Sequence, residues 1–110
     1  LQRKNIYLAN AFSLQMLDLN EKIRVEISPI TPEKAKTILS GGFISVIGHQ
    51  DTANVVSNIL EIKIPMNRIS LSLKKEDILI VAQIVGGRLP EGSTTLPAGV
   101  QIQFMEVRIV

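Results

Sequence analysis

The chain has 110 residues, 45% of them hydrophobic. That is enough for one compact core, and no run of ~18 apolar residues could span a bilayer, so residues 1–110 read as a single soluble domain. Twelve Lys and Arg against ten Asp and Glu leave a net charge of +2, which argues against a coat for duplex DNA, while zero cysteines and one histidine exclude a disulfide framework, thiolate chemistry and a His-rich metal centre.

The missing cysteines fit a reducing, cytoplasmic setting. Ile6 to Phe12 is too short and too mixed for the apolar core of a signal peptide, and the polar, basic residues before it do not change that. The first residue is Leu1, which reads as an excerpt of a longer polypeptide or a processed start. A domain this small leaves much of its chain near the surface, so a second copy would bury more, and a two-fold homodimer is expected.

In chain order, Ile6 to Ala9 reads as a short strand, and Ser13 to Leu17 as a brief helix capped by the Ser13 hydroxyl. Lys22 to Ser28 alternates, with Ile23, Val25 and Ile27 on one face and Arg24 and Glu26 on the other, as in a half-buried strand. Thr31-Pro32-Glu33 opens a helix with a hydroxyl cap, a proline where no donor is missed and an acid in the first turn. Ala35, Ile38 and Leu39 form its apolar stripe, and Gly41-Gly42 ends it.

Phe43 to Ile47 reads as a strand, followed by a helix from Asp51 or Thr52 to Leu60 on the spacing of Val55, Val56, Ile59 and Leu60. Arg68 to Leu73 alternates, and with Ile78 to Ala82 across the charged Lys74-Lys75-Glu76-Asp77 it predicts a hairpin. The unbroken apolar run 78–82 predicts a central strand covered on both faces. In the last strand, Val100 to Val110, the apolar parity switches between Phe104 and Met105, which predicts a bulge there or burial on both faces. Between these two strands lies a long loop, residues 86–99, rich in Gly, Pro and Thr. The fold class is therefore α+β: a mixed sheet of five or six strands with two or three helices.

Gly48-His49-Gln50-Asp51-Thr52 joins a strand to a helix, so Gly48 permits a tight turn and the free amides of the helix start would hold a phosphate. A phosphate there would favour the imidazolium of His49 and so prepare a general acid. The alternative is an ordinary strand-end histidine bonded to backbone. Arg88 and Glu91 lie three apart on the loop, where a guanidinium grips phosphate and a carboxylate accepts from a ribose hydroxyl; the alternative is a local surface ion pair. Asn10 and Ser13 read as a turn and a cap, or as ligand contacts.

Tyr7-Leu8-Ala9-Asn10-Ala11-Phe12-Ser13, Ile47-Gly48-His49 with Thr52, Asn67-Arg68, and Gln83 followed by Arg88-Leu89 and Glu91-Gly92 recur in one order through nearly the whole chain. In this the chain resembles the small viral ring nucleases that inhibit type III CRISPR immunity, and their cellular relatives, which degrade cyclic tetra-adenylate. The resemblance implies a homodimer that binds this messenger between subunits and cuts it without metal or cofactor. A ribose 2′-hydroxyl would attack its neighbouring phosphate, displace the 5′-oxygen and leave a 2′,3′-cyclic phosphate on di-adenylate.

By the same resemblance His49 is the proton donor to the leaving oxygen, Arg88 binds the phosphate under attack, and Glu91 orients or helps deprotonate the 2′-hydroxyl. Asn10, Ser13, Thr52 and Gln83 would hold ribose, phosphate or adenine, with Gly48 at the turn and Arg68 nearby. The chain departs from the family pattern between Gln83 and Arg88, where Ile84-Val85-Gly86-Gly87 is one residue longer, and after Glu91, where a Gly-, Pro- and Thr-rich segment replaces a helical one. That departure motivates a second expectation, a module that sequesters the ring without cutting it. A duplex-DNA-binding protein is the third, on small size and slight basicity alone. No membrane partner is expected.

Overall fold

The computed structural model describes residues 5–110; the polar, basic start, residues 1–4, lies outside the described residues. Five strands form one mixed sheet: β1 (Ile6–Ala9), β2 (Val25–Ile30), β3 (Ile44–Ser45), β4 (Ile78–Val85) and β5 (Gln101–Ile109), in the order β2-β5-β4-β1-β3. β1 pairs in parallel with both β4 and β3, while β5 pairs antiparallel with β4 and β2. Two helices, α1 (Pro32–Leu39) and α2 (Gln50–Leu60), and one 3-10 turn, Leu14–Met16, complete the domain.

α1 forms as its sequence dictates. Thr31 accepts a hydrogen bond from the Lys34 amide at 3.1 Å, Pro32 occupies the first turn, and Ala35 and Leu39 are buried. α2 buries Thr52, Ala53, Val55, Val56 and Leu60, so both helices cover one face of the sheet, against Leu8, Ile78, Ile80, Ala82 and Phe104. Among the described residues the other face has no helix longer than the 3-10 turn. Segments around Phe12 to Leu17 and Leu71 to Leu73 cover it instead, over Ala9, Leu79, Val81 and Val107.

β4 is central and its first five residues are buried, as the unbroken apolar run requires. β5 runs in continuous register with β4, from Ile78 opposite Arg108 to Val85 opposite Gln101, so there is no bulge. Its parity switch reflects two half-strands with different cover: Ile102 and Phe104 pack beneath the helices, Met105, Val107 and Ile109 on the other face.

Several expectations are corrected. Residues 68–73 make no strand and no hairpin, because both edges of β4 are already taken by β1 and β5. Their alternation is real, with Leu71 and Leu73 buried, but the segment lies over the sheet rather than in it, anchored where the Leu73 amide donates to the Met16 carbonyl at 2.8 Å. The first alternating strand begins at Val25, not Lys22, and Ile27 is 53% exposed, because β2 is an outer strand that no helix reaches on that face. Pro29 sits within it opposite Met105, and the Arg24 carbonyl accepts from the Val110 amide at 3.0 Å just outside the paired region. β3 is two residues rather than five, and Ser13 precedes the 3-10 turn without capping it through its side chain.

Candidate functional site

β1, β3 and β4 are parallel, so their carboxyl ends lie along one edge of the sheet, the place where sheets of this kind present ligand sites. Asn10 follows β1, Gly48-His49 follow β3 into α2, and Gly86 to Leu89 follow β4. A cleft of about 480 Å³ opens there, lined by Asn10, His49, Asp51, Thr52, Ile84, Gly87, Arg88 and Leu89. Four residues read from the sequence, Asn10, His49, Thr52 and Arg88, therefore converge from three separate strand ends.

His49 is exposed and occupies the N-cap position of α2, yet its ring makes no capping hydrogen bond. Its carbonyl accepts the first helical bond, from the Ala53 amide at 3.0 Å, which leaves the earlier amides of the helix unsatisfied by side-chain capping. Neither the backbone bond nor the local ion pair that the alternatives invoke is formed among the described residues. The His49 side chain is not engaged in a cap, and among the described residues the one ion pair is Arg108 with Glu106, so Arg88 is not paired with Glu91. The Arg88 and His49 side chains thus line one cleft beside the start of α2, and a guanidinium and an imidazole are groups able to bind an anion and to move a proton.

The turn carrying His49 is held from outside. Asn67 donates its backbone amide to the Ile47 carbonyl and its side-chain amide to the Ser45 carbonyl, each at 2.8 Å, as a substitute for a neighbouring strand. Arg68 follows, its Nε donating to the Gly48 carbonyl at 2.8 Å. Arg68 is thus a brace for the turn and not part of the cleft lining. Gly48 does not adopt a positive φ. It is fitted to the site because a Cβ there would lie 3.3 Å from the Arg68 Cγ.

Gly48 is itself not among the lining residues, and three more expected residues lie outside it. Ser13 lines a separate depression with Gln15, Met16, Ile69, Ser70 and Leu71. Gln83 shares the parity of Leu79 and Val81 and is exposed, which places it on the face away from the helices. Glu91 is exposed in the turn Pro90 to Ser93, closed by the Ser93 amide donating to the Pro90 carbonyl at 3.1 Å. Asp51 is the polar group that sequence reasoning passed over except as a helix start. Its place in the first turn of α2 was legible; its approach to a loop 41 residues away was not.

The STIV B116-like family model matches residues 6–101. Uncharacterized protein 26 of Sulfolobus islandicus filamentous virus (isolate Iceland/Hveragerdi) is 36% identical over 88 residues, which is 79% of this chain and 73% of the relative. Uncharacterized protein ORF117 of Acidianus two-tailed virus is 33% identical over 90 residues, covering 79% and 74%. Among solved structures, B116 of Sulfolobus turreted icosahedral virus superposes with a TM-score of 0.76 at 24% identity, over 94% of this chain and 98% of that one, so the two share a fold. The chain belongs to the STIV B116-like family. Among its described residues no helix is long and apolar enough to cross a membrane.

Proposed function

We propose that this STIV B116-like protein is a metal-independent ring nuclease that binds cyclic tetra-adenylate at a two-fold homodimer interface and opens it to di-adenylate ending in a 2′,3′-cyclic phosphate, switching off type III CRISPR signalling. The observation that carries this reading is the convergence of His49, Arg88, Asn10 and Thr52 at three strand ends over the uncapped start of α2.

In this reading the nucleophile belongs to the substrate, so the protein has three tasks: to align the 2′-hydroxyl with phosphorus, to stabilise charge there, and to protonate the departing 5′-oxygen. Arg88 and the first amides of α2 take the phosphate, His49 donates the proton, and Asn10 and Thr52 fix the ribose. Glu91 lies outside its own chain's cleft, so a role at the 2′-hydroxyl requires it to approach across the two-fold axis. The size of the cleft agrees with a shared site. About 480 Å³ falls within the ~300–1,000 Å³ of drug-sized pockets, and a ring of four nucleotides outgrows such a space, so each copy would take half of it.

Incubation of the purified protein with radiolabelled cyclic tetra-adenylate in EDTA tests the proposal. Linear di-adenylate is expected, and intact ring after prolonged incubation rejects nuclease activity. A second reading, a module that sequesters the ring, is favoured by the exposed position of Glu91. Tight binding with intact ligand recovered afterwards is its signature.

A further inference from the structure

The loop between β4 and β5 is a closed structure of its own. Its ends pinch together at Gly86, where φ is +91° and a Cβ would lie 2.3 Å from the Gly99 carbonyl oxygen. Two hydrogen-bonded turns, Pro90 to Ser93 and Pro97 to Val100, place Gly92 and Gly99 at their third positions with φ of +80° and +79°, where a positive φ calls for glycine. The loop is then fastened to α2 at two points: the Gly92 amide donates to Asp51 Oδ2 at 3.1 Å, and Asn58 Nδ2 donates to the Thr94 carbonyl at 2.6 Å. Asp51 and Asn58 are seven residues apart, two helical turns on one face, so the loop lies along α2 for about 10 Å.

Asp51 differs from Asn58 in also lining the cleft, together with His49 at the start of its own helix and Arg88 on the loop. We propose that Asp51 is a positioning residue whose carboxylate, by holding the Gly92 amide, sets the distance between the loop-borne Arg88 and the helix-borne His49. This rests on the ring-nuclease reading for its catalytic consequence but not for the tether. An acid in the first turn also favours the helix dipole, as Glu33 does in α1, and that effect needs the charge whereas the tether needs only an acceptor. Asp51→Asn separates the two, since its side-chain carbonyl still accepts from Gly92.

The test compares the wild-type chain with Asp51→Ala and Asp51→Asn. Amide hydrogen exchange at Gly92, measured by NMR without ligand, should be roughly tenfold faster in Asp51→Ala and near wild type in Asp51→Asn. On cyclic tetra-adenylate, Asp51→Ala should lower kcat about 10–100-fold with KM within about threefold, because misplacing one of two catalytic groups costs rate more than it costs ground-state binding. Asp51→Asn should restore most of that loss. Unchanged Gly92 exchange in Asp51→Ala overturns the proposal, as does an Asp51→Asn variant that keeps Gly92 protected but is as slow as Asp51→Ala. If the wild-type chain shows no turnover, the ring-nuclease reading fails, while Gly92 exchange still decides whether Asp51 holds the loop.

Discussion

The two helices begin in opposite ways. Each has an acid in its first turn, Glu33 and Asp51, but α1 starts closed: the Thr31 hydroxyl satisfies the Lys34 amide and Pro32 has no amide to satisfy. α2 starts open, with an imidazole at the capping position that makes no cap, in a cleft where the Arg88 guanidinium forms no ion pair. A side-chain cap is worth about 1 kcal/mol, so its omission at α2 is a departure from what stability alone favours. Such departures concentrate where function needs the groups unoccupied. The difference teaches that one start serves the fold, while the other, in the function proposed above, is kept available to a ligand.

Substitutions at the two starts sharpen or break that contrast. The largest effect is expected from His49→Ala, which removes the proposed proton donor: single-turnover cleavage of cyclic tetra-adenylate should fall by ~10²–10⁴-fold while affinity, measured by calorimetry, stays within about threefold. Retention of full activity in that variant would break the contrast. Thr31→Ala should lower unfolding free energy in urea by about 1 kcal/mol and leave cleavage unchanged, since Thr31 lies outside the cleft. The smallest effect is a gain: His49→Ser supplies the missing cap and should raise stability by roughly 0.5–1 kcal/mol in the same urea titration, in a protein that no longer cuts the ring.

The parts of the fold that were legible are those decided by neighbours in sequence. The Thr31 cap, the helical spacing of Val55, Val56 and Leu60 and the apolar run of β4 each point to one local structure, and each forms it. Residues 68–73 show the limit. Alternation reported truly that Leu71 and Leu73 share a buried face, but whether an extended segment joins a sheet depends on an open edge, and β1 had taken the one a hairpin would need. Ile27 fails for a similar reason, because parity assigns a face without saying what covers it.

Asn10, His49 and Arg88 meet in one cleft because they lie one, four and three residues beyond the ends of β1, β3 and β4, whose common direction the topology fixes. That Glu91 lies outside its own chain's cleft was not legible, because spacing along a loop says nothing of facing once Pro90 to Ser93 turns. The repeated Pro-x-Gly of Pro90-Glu91-Gly92 and Pro97-Ala98-Gly99 was the available signal for those turns. Asp51 had none, since its partner is fixed only by tertiary structure.

Proline in β2 bears on how this chain survives at high concentration. The Arg24 to Val110 bond sets the register so that even-numbered backbone groups of β2 turn inward to β5, and Val25, Ile27 and Pro29 turn theirs outward. The row of donors along that margin therefore stops short at its last position, Pro29, and the opposite margin is a strand of only two residues. A sequence carrying Ile-Leu-Ile-Val-Ala-Gln-Ile-Val is a template for fibrils if left bare. Here it is walled in at the centre of a sheet whose flanks resist recruiting strangers.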